Sequence, residues 1–210
     1  MPRPARVSAD RILDAAALEF SERGFAGARV DRIARRAHVN KAMLYYHFGS
    51  KQGLYRVLLR RTFTLAAERI RAIAASPASP ADKIDKIIAG FAAFIRERDF
   101  FPAIMLREVA EGGSRLDRET LLTLVAVPAA VAQIVQEGVA RGTFRPINPL
   151  FAHLTMIAPI VFYLAAGSFL GEVGALLTHL QPLAADDFVH HMQDVMRRAL
   201  AHDASPRQTS

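Results

Sequence analysis

Two short apolar-periodic runs separated by only a few residues constrain this chain more than any other feature. They lie in the stretch FAGARVDRIARRAHVNKAMLYYHFGSKQGL, Phe25 to Leu54. Val30, Ile33, Ala34 and Ala37 fall on one face of a 3.6-residue period, and Val39, Leu44 and Phe48 continue the inward set. The spacing predicts two helices joined by a tight turn, with Ala34 as the small side chain that a steep crossing requires. Asn40 is suited to cap the second helix, because its side-chain oxygen can accept an otherwise orphaned backbone N–H. His38 stands in the turn, where a positive φ is needed and Gly is the usual residue. Histidine is among the few side chains enriched in that region, so the turn is predicted to form at a small strain cost.

With Leu44 and Phe48 inward, Ala42 and Tyr46 point away from the core, flanked by Lys41, Met43, Tyr45 and His47. Lys51 follows just behind. A lysine, two tyrosines and a histidine supply phosphate donors, and a small residue among them lets a backbone come close. This is the layout of a helix-turn-helix whose second helix enters the major groove. An ordinary amphipathic helix pair would share the periodicity, but not also the cap, the turn and the outward chemistry.

Charge gives independent support. The chain carries 27 Lys+Arg against 20 Asp+Glu, a net of +7. Residues 1–61 hold 13 against 5 and the remainder 14 against 15, so the basicity is confined to the N-terminal third. That is the footprint expected of a polyanion-binding segment. A membrane surface would attract the same charge, yet the outer face lacks the large aliphatic side chains that an interfacial helix buries.

Along the chain, Pro2, Arg3, Pro4 and Arg6 read as a loose arm and Ser8 as the cap of a first helix. Ile12, Leu13, Ala16, Ala17 and Phe20 form that helix's inner stripe, and Gly24 supplies its stop. A fourth helix is predicted from Lys51 through Leu54, Leu58, Phe63 and Ile70, broken by the SPASP run at Ser76–Pro80. Helices then follow over Ala81–Arg98, Pro102–Glu111, Arg118–Arg141, Pro149–Leu170 and Ala184–His202. No period-2 strand is visible, so the chain is predicted to be all-α. Met1 to Asp10 shows no apolar signal segment, and the absence of cysteine fits a reducing cytoplasm.

Pro146–Gly171 and Thr120–Gln136 contain no charged residue, and the first passes a crude length test for a membrane span. Its interior prolines, polar residues and small residues suit a buried helix better. A helix apolar on nearly all sides must be covered on all sides. That predicts a second copy of the chain packed by two-fold symmetry against the Pro149–Leu170 and Ala184–His202 helices.

The helix-turn-helix stretch resembles the DNA-binding domain of the TetR family of one-component transcription regulators. Ile33-Ala34, Ala37 to Val39 and above all Leu44 to Lys51 carry the resemblance, which spans roughly residues 8 to 56. It implies an N-terminal three-helix head over 1–50 and a C-terminal helical ligand-binding and dimerisation domain over 51–210, about nine helices in all. It further implies contacts to a double-stranded DNA operator at Arg29, Lys41, Ala42, Met43, Tyr45, Tyr46, His47 and Lys51. Met43 departs from the small polar residue common at its position.

A homodimer, a small-molecule effector, repression and a cytoplasmic location without membrane attachment also follow from the resemblance. Phe91, Phe94, Met105, Val125, Met156, Phe162 and Tyr163 are candidates to line an apolar effector pocket, with Arg107 or Tyr163 holding a polar group. Two alternatives stay open: a nucleic-acid-binding protein without ligand response, and a metal-dependent enzyme. For the second there is no phosphate loop, paired-His zinc motif or nucleophile elbow. Asp186, Asp187, His190 and His191 read as a solvated or interface-facing cluster and Glu108 and Glu111 as surface charges, so no metal or cofactor is expected.

Overall fold

The computed structural model describes residues 4–176 and 184–202. The chain runs α1 (Pro4–Gly27), α2 (Val30–Arg36), α3 (Lys41–Phe48), α4 (Lys51–Ala74), α5 (Pro80–Arg96), α6 (Phe100–Ala110), α7 (Arg118–Ala140), α8 (Pro149–Ala165), α9 (Gly167–Leu176) and α10 (Ala185–Leu200). Among the described residues there is no strand, and one isolated bridge pairs Phe144 with Ala201. The fold is all-α.

Three local expectations need correction. The described residues form ten helices, because the segment expected to continue to Leu170 ends at Ala165 and restarts at Gly167. Ala166 leaves helical geometry there, beside a glycine that weakens propagation. At the other end, α1 starts at Pro4, a residue well suited to a first helical turn. Ser8 therefore lies inside the helix rather than capping it, and Pro4 and Arg6 are helical rather than part of an arm; Pro2 and Arg3 fall outside the described residues. The stop expected at Gly24 is present as a break within α1, with φ 66° and ψ 175°.

Two compact units emerge, one from the residues up to Leu65 with Glu97–Leu124, the other from Ala66–Arg96 with the residues from Val125 onward. In the first, the predicted stripe of α1 (Ile12, Leu13, Ala16, Ala17, Phe20) is buried with Ile33, Ala34, Ala37, Leu44, Leu54 and Leu58. Val30, Val39 and Phe48, expected inward, are only half-buried. α6 packs on α1, and the Phe63 and Phe101 rings meet edge-on at 6.1 Å.

In the second unit, α5 buries Ile84, Ile87, Ile88, Phe91, Phe94 and Ile95 against α8 and α10. Its start is set by Ser79, whose hydroxyl accepts from the Asp82 N–H at 3.1 Å ahead of Pro80. Lys83 is buried, and its ammonium donates to Glu137 Oε2 at 2.8 Å. Arg197 and Gln193 on α10 donate to the Asp85 carboxylate and carbonyl on α5. Gly138 is required for close approach, since a Cβ there would overlap the buried Phe144 ring.

α7 is long and apolar enough to cross a membrane by length and composition, with a third of its most apolar window buried. α8 is too short at 17 residues. It buries Ala152, Met156, Ile160 and Val161, whereas Phe151, Leu154 and Phe162 are at least half exposed. α8 is thus covered on one side within the chain and apolar on the other.

Candidate nucleic-acid interface

The α2–α3 unit is fixed from below by one buried carboxylate. Glu19 is 2% exposed, yet it sits on the apolar stripe of α1. Its Oε1 accepts from Arg32 Nε at 2.6 Å and from the Arg29 backbone N–H at 3.1 Å. Arg32 also donates to the Gly27 carbonyl at 2.8 Å, so a single guanidinium ties α2 to both the body and the C-terminal end of α1. Burial pushes the Glu19 carboxyl up, but the Arg29 N–H and the Arg32 guanidinium outweigh it and hold it below the ordinary glutamate value.

The turn between α2 and α3 has the predicted chemistry. His38 adopts φ 53° and is the one non-glycine residue with positive φ among those described. Its N–H reaches the Arg35 carbonyl and the Val39 N–H reaches that of Ala34, which satisfies the end of α2. Asn40 caps α3, its Oδ1 accepting from the Ala42 N–H. Leu44 is completely buried and anchors α3. Gly53 lets α4 begin directly behind it, because a Cβ there would collide with the Phe48 carbonyl oxygen.

Of the eight side chains assigned to DNA, five lie on the surface. Tyr46 is 83% exposed, Tyr45 is 43% exposed, and Arg29, Lys41 and Ala42 are also exposed. Arg29 is the N-cap residue of α2, at its N-terminus, where backbone donors and the helix dipole favour an anion. Met43 is half-buried. His47, expected on the outer flank, is also half-buried, and its Nε2 is shielded from solvent with no hydrogen-bond partner.

Lys51 differs from its expected outward position. Its ammonium turns inward and donates to the carbonyls of Phe25 at 2.9 Å, Ala28 at 3.2 Å and Ala26 at 3.4 Å, lying 4.6 Å from the centre of the Phe25 ring. A cation at the carbonyl-rich end of a helix is well placed electrostatically. Sequence spacing could not reveal this, because the acceptors are more than twenty residues away.

The first unit contains a second polar network that sequence periodicity does not reveal. Glu108, expected to be a surface charge, is 2% exposed and accepts from the Tyr55 hydroxyl at 2.7 Å. Burial, then this bond, raises the Tyr55 hydroxyl far above its ordinary range. Arg115 reaches both Glu108 and Glu111 and lies 4.9 Å over the Phe25 ring. Arg107, expected to hold a polar group of an effector, donates instead to the Phe20 and Ser21 carbonyls at 3.1 and 2.5 Å. The usable signal is the spacing: Glu19 follows Ile12 by seven and Ala16 by three, and Glu108 follows Ile104 by four. An acid on an apolar stripe needs a buried partner.

The effector candidates divide between the units. Met105 and Arg107 belong to the first and the other six to the second. Phe91 and Phe94 are buried around a void of about 20 Å³ that they share with Ala66, Ile70, Ile87 and Gly90, room for a water-sized group at most. Met156 is fully buried, Val125 and Phe162 are exposed, and Tyr163 stacks on Phe188 at 4.2 Å. Among the described residues no group of three or more His, Cys, Asp or Glu is arranged to hold a metal ion, and Asp186 pairs with Arg96 at 2.6 Å.

A capped turn, a buried anchor and an outward face of tyrosines and cations define α1–α3 as a helix-turn-helix DNA-binding head on an all-helical chain. Residues 12–58 match the family described as bacterial regulatory proteins, tetR family. Over this N-terminal segment the chain is similar to TetR-family transcriptional regulators. It is 28% identical over 158 residues to the HTH-type transcriptional repressor NicS of Pseudomonas putida, covering 73% of this chain and 74% of that protein. A stretch of 46 residues is 48% identical to IcaR, the HTH-type negative transcriptional regulator of the biofilm operon icaADBC in Staphylococcus aureus, covering 22% and 25% of the two chains. In fold, the chain is similar to the transcriptional regulator FadR from Bacillus subtilis, solved in complex with stearoyl-CoA. The TM-score is 0.75 at 15% identity, over 91% of this chain and 98% of that one.

Proposed function

We propose that this regulator is a cytoplasmic homodimeric repressor that places one α3 from each copy in successive major grooves of a pseudo-palindromic operator, free of any membrane and without catalysing a reaction. The observation that carries the reading is the outer face of α3, where Tyr45, Tyr46, Lys41 and Ala42 are exposed while Leu44 is fully buried. Arg29 adds a backbone-phosphate donor, and Met43 and His47 sit at the margin of the face. Lys51 acts by holding the α1 carbonyls that position α3. Functionally the chain divides into the head at 1–50 and the ligand-binding and dimerisation body at 51–210.

Dimerisation is supported by the uncovered side of α8. Phe151, Leu154 and Phe162 lie within one narrow sector of the helix at 100° per residue, and all are at least half exposed. Against a two-fold copy, with α10 alongside, this face closes into a four-helix packing. Repression is supported by the relatives' names, which are those of a repressor and a negative regulator.

A small apolar effector would bind the second unit near Phe91 and Phe94 by opening the void they line, with Met156 and Tyr163 as further candidates, whereas the exposed Val125 and Phe162 face outward. The acyl thioester in the FadR complex supports an apolar ligand class. By binding one body conformation better than the other, the effector would lower operator affinity.

Selection from random duplexes tests the reading. An inverted repeat should be enriched, with binding that falls steeply as salt rises. Enrichment of nothing would instead indicate a shape-only nucleic-acid binder. Adding a panel of apolar ligands to the selected complex tests the response, and release by none of the ligands that bind the protein would rule out an apolar effector.

A further inference from the structure

The exposed cations at the docking face are not free in the unbound protein. Arg29 and Lys41 converge on one carboxylate: Asp31 Oδ1 lies 2.8 Å from Lys41 Nζ, and Oδ2 lies 3.8 Å from Arg29 Nη2. All three side chains are about half exposed or more. Asp31 belongs to the first turn of α2 and Lys41 opens α3, so the pair bridges the turn on the side offered to DNA. Exposed pairs of this kind add little to stability. The head is held instead by buried Glu19, buried Leu44 and the Asn40 cap. An exposed acid paired with two cations of the docking face, Arg29 and Lys41, is placed to do more than hold the fold.

We infer that Asp31 is a built-in competitor for DNA phosphate that sets how tightly the head binds. The inference rests on α3 being the docking helix. On docking, Arg29 and Lys41 exchange a carboxylate for phosphate oxygens, and Asp31 remains beside the backbone as a repelling charge. Its loss removes the exchange and adds one effective positive charge to the interface. Asp31 is thus a specificity-neutral brake: it weakens the phosphate interactions common to every sequence and leaves base discrimination alone.

The test is a salt titration of fluorescence anisotropy on two labelled duplexes, one recovered by selection and one unrelated, with full-length wild type, Asp31→Asn and Asp31→Glu. Wild type that binds neither duplex would overturn the docking reading and this inference with it. With wild type bound, Asp31→Asn should bind both duplexes about two- to fivefold more tightly near 0.1 M salt, the range that freeing one exposed pair allows. The log–log salt slope should steepen by roughly 0.9 for each further phosphate that the freed cations neutralise.

Asp31→Glu should behave like wild type, and the tighter binding should vanish in Asp31→Asn/Lys41→Gln. Unchanged or weaker binding by Asp31→Asn at an unchanged slope would overturn the inference and make Asp31 an organiser of the turn. If Asp31→Asn lowers the melting temperature, Asp31→Ser carries the same comparison.

Discussion

The helix-turn-helix and the α8 face are opposite solutions to exposure. In the head, the large side chains exposed on α3 are charged or carry a hydroxyl (Lys41, Tyr45, Tyr46), while the buried acid Glu19 has partners donating from α2 and the residue before it. On α8, the large side chains that lie exposed are Leu150, Phe151, Leu154 and Phe162, with Thr155 the one exposed polar side chain and no charged residue in the helix. A surface that keeps polar donors outward is arranged to meet a hydrated polyanion and let go of it. A surface that leaves rings outward is arranged to be covered by something equally apolar. The two faces therefore suit different partners: DNA for one and, as proposed above, a second copy of the chain for the other.

The sharpest way to break this contrast is to charge the apolar face. Phe151→Asp with Phe162→Asp should yield monomers by sedimentation velocity and reduce affinity for an inverted repeat by about 10²–10⁴, the avidity lost when two heads are unlinked. A half-site should be bound as before. If the double variant stays dimeric, the α8 face is not the interface.

Next in size is the buried acid under the docking helix. Glu19→Gln leaves the Arg32 guanidinium without its charged partner and should destabilise the head by about 2–3 kcal/mol, measured by denaturant unfolding. The wild-type pair also fixes a pH dependence. Because the folded value of Glu19 is depressed, its contribution is fully present above the unfolded value of 4.5 and is lost as pH falls below that and through the native value. Wild type should lose stability over that acidic window, and Glu19→Gln should lose less.

Changing the polar face should alter binding rather than folding. Tyr45→Ala should weaken operator binding by roughly 1–3 kcal/mol in a titration, with an unchanged melting temperature. Lys51→Ala should weaken binding too, but through the head's geometry. It should lower the melting temperature as well, which separates it from Tyr45→Ala. The smallest effect expected is at the turn. His38→Gly relieves a left-handed backbone position of its side chain and should stabilise the head by at most about 1 kcal/mol, since glycine loses more freedom on folding.

What can be read in the sequence follows the range of the interactions. The Leu44 anchor, Asn40 cap, positive φ at His38 and stop at Gly24 are decided within a few residues, and each is where the spacing puts it. The same holds for the limits of α7, expected over Arg118–Arg141 and found over Arg118–Ala140. Lys51, Arg107 and Glu108 depart from their expected places because their partners, Phe25, Phe20 and Tyr55, lie 26, 87 and 53 residues away. No periodicity reports on such pairings. The split between α8 and α9 escapes for another reason: an uncharged run of small residues gives a helix pattern little contrast at its ends.

The most direct test of a two-headed reader built on α3 is hydroxyl-radical footprinting of the wild-type protein on the selected duplex. Two protected patches related by two-fold symmetry are expected, their centres one or more whole turns apart at roughly 34–36 Å per turn, with the major groove facing the protein in each. A single patch, or protection spread evenly along the duplex, would contradict it.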